Sequence, residues 1–381
     1  MNDIHDFIKG DLINNRIPDK LATKRNLKNL FYYSQKNRLV SRLSSRICNQ
    51  ELYKITPDIP FKKYYLSSKS RYLELVKEIF QVNKLLKENN IEPIFLKGAY
   101  FYLLQLKNPE ERFMADIDIL IKREILTKAI NILLKNNYHF KRFKNFKSID
   151  INKDWTHQTP VIISPSGYVL DIQHRVTSPR NIKGPCSLTR EMFKNKDYIN
   201  KYNSQFAIPQ PQHCICHLAY NSVHHDACSS GPSIFYDMRD LITYIKKIKK
   251  IDEVNSFIET FQDNKSINIT LAMCEKIGIS VPFKFQRPPK DIVNQSMNMI
   301  FMGSRISILN KKFSINRFGY RLKNSTETKY LKSNSQIENI YRLIEVLVSK
   351  LIDFIRYFFY IMFKPSLYKT HKSIKKYVSN K

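Results

Sequence analysis

Asp116-Ile117-Asp118-Ile119 places two carboxylates two positions apart among aliphatic residues. On a strand that spacing puts both acids on one face, with α-carbons about 6.6 Å apart, while Ile117 and Ile119 stay in the core. Such a pair can bracket one divalent ion of the Mg²⁺ type, which favours hard oxygen ligands and keeps water or phosphate oxygens in its shell. A third acid, Asp171, stands in the similar stretch Val169-Leu170-Asp171-Ile172. It can hold a second ion and accept the proton of an attacking hydroxyl, the division of labour of a two-metal displacement. Unaccompanied, three such carboxylates repel one another and raise at least one pKa, so metal and nucleotide are expected to bind with mutual support.

Upstream, Phe95-Leu96-Lys97-Gly98 reads as a strand turning into a helix. A glycine there lets the backbone approach a phosphate and take a conformation closed to other residues. The amides that open the helix point toward an anion. Lys97 adds a point charge beside that turn. The bland reading makes Asp116 a turn residue and Asp118 a solvent-facing strand residue; Lys97-Gly98 and Asp171 weigh against it. With no G-x-x-x-x-G-K run in the chain, a P-loop ATPase is disfavoured.

Arg112, four residues ahead of Asp116, can set a guanidinium fork against a triphosphate. Its structural alternative is a salt bridge to Glu110 or Glu111. Gln173 and Arg175 share the strand face of Asp171 and are candidates to face substrate, whereas His174 points the other way on a regular strand. His213 and His217 face one side of a helix, but Cys214 and Cys216 are about 200° apart around it, which disfavours a zinc site. Helix packing or an acceptor cleft lined by His217 suits them better, and Asp237, Arg239 and Asp240 are either part of that cleft or capping and surface pairs.

The elements that must position these groups follow from periodicity. Leu27, Leu30 and Phe31, then Tyr72, Leu75, Val76, Ile79, Phe80 and Leu85, recur at helical intervals, the second helix starting near Ser70. Short strands are expected at 94–96 and 113–121, helices at 99–106 and 122–136, and a hairpin from Val161-Ile162-Ile163 through Pro165-Ser166-Gly167 to 168–176. Residues 180–205 read as irregular. Helical patterns return at 214–223, 237–248, 254–261, 267–277 and 337–363, with 283–335 ambiguous.

Over 381 residues, 43% hydrophobic and 12% aromatic, the chain can bury a substantial core and is not mainly disordered. A formal net charge of +31 predicts attraction to nucleic acid, nucleotides, polyphosphate or anionic lipid. Lys, Asn and Ile abound throughout, so compositional bias supplies part of that excess. Basic groups at Lys246-Lys247, Lys249-Lys250, Lys311-Lys312 and Lys372, Lys375-Lys376 would contact phosphates without selecting a sequence. Six scattered cysteines fit a reducing compartment. The apolar stretch Leu351–Phe363 is interrupted by Asp353 and Arg356 and is shorter than the roughly 18 residues of a membrane span. A cytoplasmic protein with no integral membrane association is expected.

On Leu96-Lys97-Gly98, Asp116-Ile117-Asp118 and Asp171-Ile172-Gln173-His174, the chain resembles the nucleotidyltransferase superfamily with the DNA polymerase beta-like fold. Within it, the likeness is to an uncharacterised branch marked by Leu-Lys-Gly and Asp-x-Asp. Gly98 takes the place of the glycine turn, Asp116 and Asp118 that of the metal-binding pair, and Asp171 that of the closing acid. Arg112 matches the branch's basic residue ahead of Asp-Ile-Asp, and His174 its acid-then-His strand ending. The likeness covers residues 94–176 well, continues more loosely through 213–242 and is weak over 1–80. Ala99 follows Gly98 where the wider superfamily often has serine, so Lys97 or backbone amides must replace that hydroxyl.

The resemblance implies an α+β fold, a mixed sheet with helices. It would comprise an N-terminal helical region (1–90), a catalytic core (91–180) and a largely helical C-terminal substrate-binding region (181–381). It implies a metal-dependent nucleotidyltransferase moving an NMP group from an NTP such as ATP to an acceptor hydroxyl, with two Mg²⁺ ions, or Mn²⁺, held by Asp116, Asp118 and Asp171. Lys97, Gly98 and Arg112 would bind the nucleotide, and Gln173, His174, Arg175 and His217 the acceptor. That acceptor is RNA or tRNA, a small molecule, or a protein hydroxyl; the non-enzymatic alternative is an inactive scaffold that binds nucleic acid.

Overall fold

The computed structural model describes residues 2–106, 108–141, 159–176, 186–225, 231–261 and 264–302. The chain opens with helices α1 (Asn2–Asn14), α2 (Lys24–Lys36), α3 (Val40–Asn49) and α4 (Phe61–Lys87). In α2 the Thr23 side chain accepts the Asn26 N–H, capping the helix, and Leu27, Leu30, Phe31 and Ser34 form its buried stripe. Helix α4 begins at Phe61, well before the expected Ser70, because Phe61 is itself fully buried and extends the apolar face of Leu75, Ile79, Val82 and Leu86.

There follow β1 (Ile94–Phe95), α5 (Lys97–Leu104), β2 (Asp116–Leu120), α6 (Leu126–Lys135), β3 (His139–Phe140), β4 (Ile162–Ile163) and β5 (Val169–Gln173). The expected hairpin is β4 and β5, antiparallel with Ile163 opposite Val169. Its turn places Gly167 at φ +83°, a left-handed conformation that favours glycine. Residues 186–209 are not irregular: they form α7 (Cys186–Lys194), β6 (Lys196–Lys201) and β7 (Ser204–Pro209). The β6–β7 turn uses Tyr202 and Asn203 at φ +45° and +60°. Two successive left-handed residues make a hairpin turn, here with no glycine to announce it.

Helices α8 (Pro211–Tyr220), α9 (Ser233–Lys247), α10 (Ile251–Thr260), α11 (Asn264–Lys276) and α12 (Lys290–Met302) complete the described chain. The first four match the expected helical patterns, and α12 resolves part of the ambiguous stretch. The expected helix at 337–363, the apolar stretch Leu351–Phe363 and the basic groups at Lys311-Lys312, Lys372 and Lys375-Lys376 lie outside the described residues.

The strands form a seven-stranded mixed sheet in the order β3-β4-β5-β2-β1-β7-β6. The fold is α+β, a mixed sheet framed by helices, as expected. β2 runs parallel to β5, β1 antiparallel to β2, and β7 parallel to β1. The sheet therefore takes strands from both sides of residue 180. One hydrophobic cluster runs through the N-terminal helices, the sheet and helices α8 to α12. Among the described residues no helix is long and apolar enough to cross a membrane.

Candidate active site

Because β2 and β5 are parallel and in register, Asp118 lies directly beside Asp171, with Asp116 beside Val169. Period-two alternation then sets Asp116, Asp118, Asp171 and Gln173 on one sheet face, while Ile117, Ile119 and Ile172 go fully into the core. Asp118 is 2% exposed and Asp171 8% exposed. Strand β1 flanks β2 on its other side, and the Leu96 N–H donates to the Asp118 carbonyl at 3.0 Å. That bond delivers Lys97, the next residue, to the acids.

The Lys97 Nζ donates to Asp118 Oδ1 at 2.6 Å, and the Gln173 side-chain amide donates to the same oxygen at 2.7 Å. Burial pushes the Asp118 carboxyl up to about 8; Lys97 opposes the shift, and Asp116 and Asp171 add to it. Burial works against the Lys97 charge, but Asp118, Asp171 and Asp116 together carry its pKa above the ordinary lysine value. The three carboxylates thus act electrostatically as one group around one ammonium.

Lys97 holds φ +46°, left-handed and strained for a residue with a β-carbon. The unusual backbone conformation expected at Gly98 therefore belongs to its neighbour. Gly98 is glycine for a different reason: a Cβ there would come within 2.6 Å of Met114 Sδ and 2.7 Å of its Cγ. Met114 is 3% exposed and leads into β2, so the missing side chain lets α5 press against the strand that carries the acids.

Arg112 pairs with neither Glu110 nor Glu111. Its guanidinium lies 3.7 Å from the centre of the Phe101 ring, forms an ion pair with Asp237 and reaches Asp240 at 3.6 Å, both on α9. Burial raises the Asp237 carboxyl, against the pull of Arg112. Glu111 instead accepts from Arg46 at 2.6 and 2.8 Å, from Arg42 at 3.1 Å and from the Ser45 hydroxyl at 2.8 Å, all on α3. Arg46 also pairs with Asp11 on α1. Arg71 on α4 donates to the Met114 carbonyl at 3.1 Å. The segment entering β2 is therefore clamped by the N-terminal helices on one side and by α9 on the other. Sequence reasoning missed the roles of Arg42, Arg46 and Asp11; two arginines four apart on the face of α3 that carries Leu43 and Ile47 were the available signal.

A cleft of about 830 Å³ opens past the C-terminal ends of β2 and β5, and His174 and Arg175 are part of its lining. His217 lies on α8, every residue of which is buried, and does not line that cleft. His213 packs edge-on against Phe257, and burial pushes its pKa down to about 4 against the pull of Glu191. It is therefore neutral at physiological pH.

Among the described residues, no three His, Cys, Asp or Glu side chains stand in metal-holding geometry as placed. The Lys97 ammonium is what lies against Asp118. The donor chemistry nonetheless suits a hard divalent cation. Three carboxylates share one sheet face, and their mutual repulsion is the kind of penalty that a cation relieves.

A family model described as an uncharacterised nucleotidyltransferase matches residues 23–276, from α2 through the end of α11. No curated protein and no solved structure matches the chain.

Proposed function

Since the chain belongs to this uncharacterised nucleotidyltransferase family, we propose that it transfers an NMP group from an NTP to an acceptor hydroxyl. The carrying observation is Asp118 in register beside Asp171, with Lys97 on Asp118. The Leu-Lys-Gly and Asp-x-Asp pattern supports placing it in that branch of the polymerase beta-like superfamily.

Asp116, Asp118 and Asp171 are the residues that would hold Mg²⁺, or Mn²⁺, which when bound neutralises triphosphate charge and polarises the phosphoryl oxygens. Lys97 and the first amides of α5, beside Gly98, meet the triphosphate. Asp171 takes the proton from the acceptor hydroxyl. The acceptor oxygen forms its bond to the α-phosphorus as the bond to the departing pyrophosphate breaks. Gln173 holds the Asp118 carboxyl in its rotamer. Arg112, engaged by Asp237 and Asp240, orients the segment that enters β2. Positioning and charge stabilisation supply most of the acceleration.

Cys48, Cys214, Cys216 and Cys274 are unbridged thiols, which supports a reducing, cytoplasmic setting.

The test incubates the purified chain with each labelled NTP, Mg²⁺ or Mn²⁺, and separate pools of small RNA, protein and metabolites. Label moving to one pool with the native chain, and to none with Asp118→Asn, identifies donor and acceptor class together. RNA binding that survives Asp116→Asn and Asp118→Asn, with no label moved by the native chain, would instead identify an inactive nucleic-acid-binding scaffold.

A further inference from the structure

Where β2 and β5 end, the chain supplies cations from two directions. Lys122 and Arg123 follow β2, and Arg175 follows β5; since the strands are parallel, these segments leave the sheet at the same end. The facing wall is α7, whose Thr189, Arg190, Phe193 and Lys194 line the cleft at helical spacing. That wall is anchored. Leu188 and Met192 are fully buried, and the Thr189 hydroxyl accepts the Val176 N–H at 3.1 Å, tying α7 to the end of β5. Among the lining residues, Lys122, Arg123, Arg175, Arg190 and Lys194 face a single carboxylate, Glu124.

We propose that this cleft binds the phosphodiester backbone of single-stranded RNA and seats it as the acceptor; the second half rests on the transfer reading above. Three of the five cations are arginines, whose planar forks match phosphate oxygens in pairs. At about 830 Å³ the cleft has room for more than one nucleotide unit. A concave site suits a threaded strand better than a flat lipid surface. Phe193, half-buried in the wall, supplies an aromatic surface on which a base can stack. Strand β5 links the cleft to the acids: Gln173 donates to Asp118, and the next two residues, His174 and Arg175, line the cleft. The proposed donor seat is separate: β1 runs antiparallel to β2, so the start of α5 lies toward the opposite end of β2 from the cleft, on the side away from β5.

The test measures fluorescence anisotropy of a labelled single-stranded RNA decamer with the full chain, without NTP, over a KCl series. Arg190 and Lys194 are exposed on α7, so Arg190→Ala/Lys194→Ala is expected to keep the native unfolding midpoint. It should weaken RNA binding about tenfold or more at low salt. It should also flatten the log–log salt slope by about 1.4, near 0.7 for each lost phosphate contact. Arg190→Lys/Lys194→Arg should restore most of the affinity, and binding of a labelled non-hydrolysable NTP should not change. Unchanged RNA affinity in the double-alanine variant overturns the proposal. So does loss of NTP binding with RNA binding intact, which would make the cleft a donor seat. Transfer of NMP to metabolites by a chain that ignores the decamer overturns the cleft assignment and leaves transferase activity standing. Cleft-dependent RNA binding with no transfer to any pool supports the RNA site and removes the transfer reading.

Discussion

Asp118 is the residue at which the electrostatics of the fold concentrate. Burial, with two neighbouring acids, outweighs Lys97 and pushes the Asp118 carboxyl up to about 8 in the folded chain. In the unfolded chain an aspartate releases its proton near 4. Between those values the folded state binds more protons than the unfolded state, so stability contributed at this site falls as pH rises from about 4 to about 8. In chelator-treated buffer the native unfolding midpoint should drop over that window, and Asp118→Asn should flatten the drop; equal slopes would refute the assignment. The same substitution should lower NMP transfer by at least about 10²-fold, the scale of losing one preorganised electrostatic group. Radiolabel incorporation measures that loss. Residue types alone exposed this trio of acids, since a carboxylate set among aliphatic strand residues is seldom buried unless a cation offsets its charge. They did not reveal that Lys97 would take the strained conformation.

At the scale of elements, the strand-to-helix junction of β1 and α5 depends on one absent side chain. Gly98→Ala would push a methyl group into Met114 and is expected to cost about 1–3 kcal/mol, the usual range for overpacking a filled site. Met114→Ala in the Gly98→Ala background should recover part of that loss, an interaction that a double-mutant cycle in urea would detect. The hairpin of β4 and β5 was legible in the sequence because its turn carries glycine between two apolar runs. The hairpin of β6 and β7 was not, because Tyr202 and Asn203 enter the left-handed region without one. Its inner strand then docks beside β1, a pairing between residues more than a hundred positions apart, Ile94 with Ala207.

For the whole molecule, the helices before the sheet act as a brace for the acids. Glu111 satisfies Arg42 and Arg46 in a site almost without solvent. Glu111→Ala leaves two buried guanidinium groups short of a partner and is expected to cost about 3–5 kcal/mol, read from the denaturant midpoint. Because Glu111 belongs to the segment entering β2, the variant that remains folded should also lose NMP transfer. Glu110→Ala, one position away, should change neither by much. A loss confined to stability would show that the brace does not reach the acids.

Local pattern alone determined the acidic strand, the Lys-Gly junction, the hairpin carrying Asp171 and most of the helices, and the family resemblance added the α+β class. Each of those elements is written in spacing over a few residues, where strand and helix periods differ. Only the tertiary structure decided which groups meet. It set Asp118 beside Asp171, gave Lys97 and Gln173 one carboxylate oxygen to share, turned Arg112 toward Asp237 and Asp240, and gathered five cations around a cleft. Those partners are far apart along the chain. The burial and charge balance that selects them exists only after the sheet has closed, so periodicity carries no record of them.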